Sequence, residues 1–305
     1  MTTTRPLLTL EGHPGQDLRA ALAACKTIAP FLGVFDAFSA SIAARFSPNL
    51  FLSGFGFAAS HYGLPDLGYI AWSDIVAEAW RLRQIFPAHK LLVDVDDGYA
   101  DTGTACYVAR QLERMGVAMI MLEDQARPRR CGHYAGKVLL PLDLYLEKLN
   151  AVLSEREALC VLARTDAAGE EIYRRVEALS QTEADVLLID GMSDLEILRK
   201  VRSLTDKPLL FNQIAGGASP RATLTELREA GAALVLYSTP CLFAAQTAME
   251  ATLKTIFADD GRLPETGAGQ AVGVLQCTTL LVANHAAAGI APLTERQKER
   301  GERRS

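Results

Sequence analysis

Short apolar runs recur along the chain, and each is followed by a segment with helical spacing. The runs are FLGVF (31–35), LFLS (50–53), KLLVDV (90–95), VAMIMLE (117–123), LCVLAR (159–164), DVLLID (185–190), PLLFN (208–212) and ALVLYS (233–238). Continuous apolar runs, as opposed to alternating ones, suit strands buried on both faces, as in a parallel sheet. Between them, TACYVARQLERMG places Ala105, Val108, Ala109, Leu112 and Met115 on one stripe, with Gly116 as a natural stop. SDLEILRKVRSL opens on Ser193 with Glu196 three residues on, which predicts a capping box with Ser193 as N-cap. TLTELREAG closes on Gly231 as the earlier helix closes on Gly116. Eight strand–helix units predict an α/β chain folded as a (β/α)8 barrel. A doubly wound open sheet is the alternative, although no GxGxxG follows the first run, which counts against a dinucleotide-binding sheet.

The pattern divides the chain into a barrel over residues 1–261, a helical segment over 262–293 and a charged, disordered tail over 294–305. Between Thr266 and Thr294 there is no Asp, Glu, Lys or Arg. Gln270, Gln276, Asn284 and His285 interrupt this stretch. It therefore reads as a helix buried against protein and not as a membrane span.

Composition narrows the function. A formal net charge of −5 over 305 residues leaves no footprint for nucleic acid. The six cysteines form no CxxC, so neither a zinc site nor a disulfide framework is indicated. Reduced thiols and an N-terminus without an apolar leader point to the cytoplasm.

In such a barrel the active site lies at the C-terminal strand ends. There the sequence places Ser53-Gly54, then Asp94, Asp96 and Asp97, then Glu123-Asp124, Arg164-Thr165-Asp166, Asp190, Asn212-Gln213 and Tyr237-Ser238. Clustered carboxylates on neighbouring strand ends repel one another unless a hard cation joins them. Mg2+ suits the pattern, with Mn2+ as the alternative; the bland reading is that these acids cap helices or pair with Arg164. Arg164 is the natural bidentate clamp for a substrate carboxylate, or else a structural partner of Asp166 or Glu123. Asn212 could donate to the same ligand or cap the next helix. Ser53 with the amides of Gly54 and Phe55 forms a candidate anion-binding turn.

The segment EDQARPRRCGHYAGK (123–137) sets Cys131 among Arg129, Arg130 and His133, between glycines that would let a lid move. Cationic neighbours predict a thiol titrating below its usual value, and so a reactive one. A plain surface cysteine in an anion-binding loop is the alternative.

LLVDVDDGYAD, MLEDQARPRRCGHYAGK, VLARTDA and FLSGFGFAASHYGLPDLG together resemble the isocitrate lyase and phosphoenolpyruvate mutase superfamily, over about residues 30–255. The Arg-Arg-Cys-Gly-His run is closest to that of the short lyases, which cleave 2-methylisocitrate or 2,3-dimethylmalate. The resemblance implies a barrel whose last helix is exchanged between subunits, in dimers that pair into tetramers. It implies that Asp94 binds Mg2+ directly and that Asp96 and Glu123 hold it through water. It implies that Ser53, Gly54, Arg164 and Asn212 hold the oxyacid, that Asp66 lies near the metal, that Cys131 is the acid–base residue, and that residues 125–137 gate the site. Taken together, the candidate catalytic residues are Cys131, Arg164, Asp66 and His133, and the candidate substrate contacts Ser53, Gly54, Phe55, Gly132, Arg164, Asp190 and Asn212.

Three departures bear on the substrate: Phe51 where a tyrosine is usual, Asp97 for a threonine, and Ile189-Asp190 for Pro-Glu. The expected activity is a Mg2+-dependent carbon–carbon lyase acting on a 2-hydroxy di- or tricarboxylate. Alternatives are an oxaloacetate-type decarboxylase, a C–P bond enzyme of the same superfamily, and a non-catalytic homologue that binds metal and oxyacid.

Overall fold

The apolar runs become parallel strands in a computed structural model that describes residues 12–24, 28–265 and 272–287. The strands are β1 (Ala29–Val34), β2 (Asn49–Leu52), β3 (Lys90–Asp94), β4 (Met119–Glu123), β5 (Cys160–Thr165), β6 (Val186–Ile189), β7 (Leu209–Gln213) and β8 (Leu234–Tyr237). The helices are α1 (Pro14–Ala24), α2 (Ala37–Ala43), α3 (Gly54–Phe57), α4 (Trp72–Ile85), α5 (Thr102–Arg114), α6 (Leu142–Glu155), α7 (Glu171–Ser180), α8 (Leu195–Arg202), α9 (Leu224–Glu229), α10 (Pro240–Ala258) and α11 (Val274–Ala287). Each strand pairs with the next in chain order, and β8 pairs back onto β1, closing the barrel. The open-sheet alternative is thereby excluded.

The runs are apolar on both faces because both faces are buried. One parity, including Phe31, Phe51, Leu92, Met121, Leu162, Leu188, Leu210 and Leu236, fills the barrel interior. The other, including Val34, Leu52, Val93, Leu122, Ala163, Leu187 and Val235, meets the helices. Leu18 of α1 joins the interior cluster, and Cys160 Sγ donates to Gly15 O at 3.1 Å, so α1 plugs the end of the barrel away from the strand C-termini.

The helix ends follow local chemistry. Gly116 takes φ 76° after α5 and Gly231 φ 104° after α9, as their stop positions require. At α8 the cap is Asp194, not Ser193: its carboxylate accepts from Glu196 N at 2.9 Å. An aspartate satisfies a free amide as a serine would, and adds negative charge at the positive end of the helix.

The C-terminal elements differ from the rest. α10 has no buried residue along its 19 positions and exposes Met249, Leu253 and Phe257. α11 lies against α2 and α4, with Asn284 Nδ2 donating to Ser41 Oγ at 2.7 Å, while Leu275 and Val282 face outward. The predicted helical segment is present in part as α11; the tail 294–305 lies outside the described residues. Among the described residues no helix is long and apolar enough to cross a membrane.

Candidate active site

The parity that fills the barrel interior also delivers the polar groups. Two residues beyond Phe51, Leu92, Met121, Leu162, Leu188, Leu210 and Leu236 stand Ser53, Asp94, Glu123, Arg164, Asp190, Asn212 and Ser238. Successive strand residues alternate faces, so these seven point into the mouth of the barrel above its apolar fill. Asp124 has the opposite parity. It is fully buried against the helical layer, accepting from Thr165 Oγ1 at 2.5 Å, Asp166 N at 2.9 Å and Arg175 Nη1 at 2.9 Å, and so ties β4 to β5 and α7.

Four carboxylates meet on one side. Arg129 Nη1 bonds Asp66 Oδ1 at 2.5 Å and lies 3.2 Å from Asp96 Oδ1, while its Nε bonds Glu123 Oε1 at 2.7 Å. Asp94 completes the group; among the described residues no basic side chain forms an ion pair with it, and its Oδ1 accepts Asp96 N at 3.1 Å. A Cβ at Gly54 would stand 2.9 Å from Asp94 Oδ2, so a side chain there would push that carboxylate aside. Burial pushes the carboxyls of Asp94 and Glu123 up, and that of Asp96 up to about 7, more than Arg129 pulls them down. Glu123 Oε2 is buried and accepts no hydrogen bond; Arg164 Nη2 is 3.3 Å away but poorly aligned.

An all-oxygen set with surplus buried charge and an orphaned carboxylate oxygen fits a hard divalent cation. As the side chains stand, no three Asp, Glu, His or Cys groups among the described residues are gathered tightly enough to hold an ion. The Arg129 guanidinium bonds or pairs with three of the four.

Arg164 governs the other side. Its Nε and Nη2 bond Asp166 at 2.9 and 3.0 Å, and Nη2 also reaches Asp190 Oδ2 at 2.9 Å. The fork expected to clamp a substrate carboxylate is therefore engaged by protein carboxylates, the structural alternative. Burial opposes the charge of Asp190, but Arg164, His133 and a 2.8 Å bond from Asn212 Nδ2 outweigh it and hold its pKa low. Burial lowers the pKa of His133. Its Nδ1 accepts Ala218 N at 3.0 Å, which leaves the ring proton on Nε2, facing Asp190 Oδ1 at 3.5 Å. Ser238 donates to Asn212 Oδ1. Ser53 Oγ caps α3, accepting Gly56 N at 3.1 Å, and the amides of Gly54 and Phe55 at that helix start have no intrahelical partner.

The 125–137 loop is closed over these groups. Cys131 N donates to Asp66 O at 3.1 Å, and Lys137 Nζ holds Gly132 O. Any side chain at position 132 would overlap the carboxylate of Asp190 and the guanidinium of Arg164. The cavity beneath, bounded by Phe51, Asp94, Cys131, Arg164 and Asn212, measures about 30 Å3, room for a water molecule or two. A hollow of about 440 Å3 adjoins it across Ile214 and Thr239, lined also by Arg221, Tyr237 and Phe243.

The loop overturns one expectation. Cys131 does not titrate low: burial, with Asp66 and Asp190 facing it, pushes the thiol up to about 12 against the pull of the His133 amide and Arg164. The arginines beside it in sequence point elsewhere in space, Arg129 to the carboxylates and Arg130 toward Gly136. Sequence reasoning also missed Lys137, which bridges Gly132 O and Asp166 Oδ1 (3.3 Å), and the place of Arg129 inside the acid cluster. Basic residues on either side of Cys131 in the loop were the available signal.

Residues 18–257 match the family model described as phosphoenolpyruvate phosphomutase. The chain is 31% identical to the 2-methylisocitrate lyase of Aeropyrum pernix over 73% of its own length and 74% of that protein. A crystal structure of 2,3-dimethylmalate lyase superposes with a TM-score of 0.82 at 29% identity, covering 92% of each chain. The structure of oxaloacetate acetylhydrolase with 3,3-difluorooxalacetate superposes with a TM-score of 0.83 at 28% identity, over 91% of this chain and 97% of that one.

Proposed function

The chain belongs to the phosphoenolpyruvate phosphomutase family, and from that premise we propose that it is a Mg2+-dependent carbon–carbon lyase. Its substrate is a 2-hydroxy di- or tricarboxylate of the 2-methylisocitrate or 2,3-dimethylmalate kind, cleaved to a 2-oxo acid and a carboxylate. The observation that carries this reading is Cys131: a protonated thiol on a closed loop, lining the same small cavity as Arg164, Asp94 and Asn212. Lyases of 2-methylisocitrate and 2,3-dimethylmalate among the relatives support it.

Asp94, Asp96 and Glu123 would hold Mg2+, which when bound makes the substrate's 2-hydroxyl easier to deprotonate. The chain does the rest. The loop opens to admit substrate, since a cavity of about 30 Å3 is too small for a dicarboxylate. Ser53 and the amides of Gly54 and Phe55 orient the oxyacid end, joined by Arg164 and Asn212, which would exchange their bonds to Asp190 for the substrate carboxylate. Closure of Gly132 onto Asp190 and Arg164 excludes water. As the carbon–carbon bond breaks, its electron pair passes to the carbon beside the departing carboxylate. The 2-hydroxyl gives up its proton to water as the substrate binds, the Cys131 S–H proton goes to the new carbanion, and the thiolate regains a proton from water when the loop opens, so none is gained or lost overall. The remainder of the substrate reaches into the 440 Å3 hollow beside Arg221.

A second reading, an oxaloacetate-directed activity, is favoured by the TM-score of 0.83 to oxaloacetate acetylhydrolase. A panel of 2-hydroxy acids, oxaloacetate and phosphonopyruvate, assayed with Mg2+ and with chelator, separates the two. Mg2+-dependent release of a 2-oxo acid from a hydroxy acid supports the lyase; turnover of oxaloacetate alone replaces it. We assign the enzyme to the cytoplasm as a dimer of dimers, with the C-terminal helices exchanged between subunits. The exposed apolar side chains of α10 support that assembly.

A further inference from the structure

The acids beyond β3 part company. Asp96 faces Arg129 and the carboxylate cluster, whereas Asp97 pairs with Arg127 of the Cys131 loop. Arg127 donates from Nε to Asp97 Oδ2 at 2.9 Å and from Nη2 to Oδ1 at 2.8 Å, a two-point fork. The same Nε reaches Tyr99 O at 3.1 Å, and the guanidinium lies 6.0 Å from the Tyr99 ring centroid. The receiving turn is itself fixed. Asp97 is buried, its Oδ1 accepts Tyr99 N at 3.2 Å, and its carbonyl accepts Lys148 Nζ of α6 at 2.8 Å. Tyr99 takes φ 70°, a left-handed conformation that a bulky residue rarely adopts. Arg127 stands four residues before Cys131, so this fork anchors one end of the loop to the barrel framework as Lys137 does the other.

We propose that Asp97 and Arg127 form a latch that positions the Cys131 loop in its closed state. They are positioning residues and touch no reacting atom. The proposal rests on the lyase reading only where it concerns turnover; the latch itself is a statement about the loop. It accounts for an aspartate where the family commonly has threonine: the added charge serves the loop and not the metal set. The Arg127 side chain remains 40% exposed, so the latch can release in each catalytic cycle.

Amide exchange of the full chain tests it without reference to activity, in Asp97→Asn, Arg127→Gln and the double variant. Asp97→Asn keeps an oxygen for Tyr99 N while removing the charge. Each single change should speed exchange across residues 126–134 roughly three- to tenfold, the range of a partly exposed two-point ion pair. The double variant should show no more than either single. Salt at about 1 M should bring the wild type toward the variants. β4 should exchange at an unchanged rate in all three. Unchanged loop exchange, additive effects of the two substitutions, or equal acceleration in β4 would each overturn the latch. If the loop loosens as expected while no hydroxy acid is cleaved by the wild type, the latch stands and the lyase reading falls.

Discussion

A thiol pushed up to about 12 stays protonated at neutral pH, so Cys131 would enter the proposed reaction as S–H. That suits a proton donor closing on a carbanion better than a standing nucleophile. In the closed state it should resist alkylation, with iodoacetamide modifying Cys241 sooner; rapid labelling of Cys131 in Mg2+ and 2-oxo acid contradicts this. Asp96 gives the residue scale a second test. Burial, with Asp94 and Asp66 nearby, outweighs Arg129 and raises its carboxyl to about 7, above the ordinary value near 3.9. The stability tied to this group is present below pH ~4 and lost as pH rises through about 7. In chelator, Asp96→Asn should therefore unfold at a higher temperature than wild type at pH 8 and at a similar one at pH 4. Mg2+ should help the wild type more than the variant. Equal melting curves at pH 8 would show that Asp96 carries no such strain.

At the scale of elements, the site is a consequence of strand parity. Ser53, Asp94, Glu123, Arg164, Asp190, Asn212 and Ser238 were legible because each stands at or just past the C-terminal end of an apolar run, in phase with its inward-facing residues. Asp124 stands at the same strand end but one residue out of phase, and faces Arg175 in the helical layer. The loop was less legible. Its arginines are neighbours of Cys131 in sequence but not in space, so a charge argument based on adjacency gave the wrong sign for the thiol. The slip at α8, where Asp194 caps in place of Ser193, is smaller: two adjacent residues could each cap, and only geometry chooses. Gly132 gives the element scale its test. Gly132→Ala should lower turnover by on the order of 10²-fold, since the methyl would hold the loop off Arg164 and Asp190. The barrel's melting temperature should not change. Full activity in Gly132→Ala would mean that the loop does not close as described.

At the scale of the molecule, the described residues leave large apolar side chains uncovered. Met249, Leu253 and Phe257 on α10 and Leu275 and Val282 on α11 are all exposed, which is costly for side chains of this size. A second copy of the chain, exchanging these helices, would cover them. Deleting residues 262–305 should give aggregated or monomeric protein of low stability by light scattering; a well-folded truncated oligomer would contradict the exchange. The barrel itself was predictable from eight apolar runs, whereas the plug made by α1 was not, because its short amphipathic pattern resembles that of any surface helix.

In the proposed reaction Cys131 delivers the proton that completes a carbon–carbon cleavage. The most direct test compares wild type and Cys131→Ser on the hydroxy acid identified from the panel, with Mg2+ present and the 2-oxo acid measured. A serine hydroxyl keeps the size but is a far weaker acid, so cleavage should fall by roughly 10²–10⁴-fold. Binding of Mg2+ and of the 2-oxo acid should remain. Wild-type cleavage rates in Cys131→Ser would remove the thiol from the mechanism and contradict the assignment.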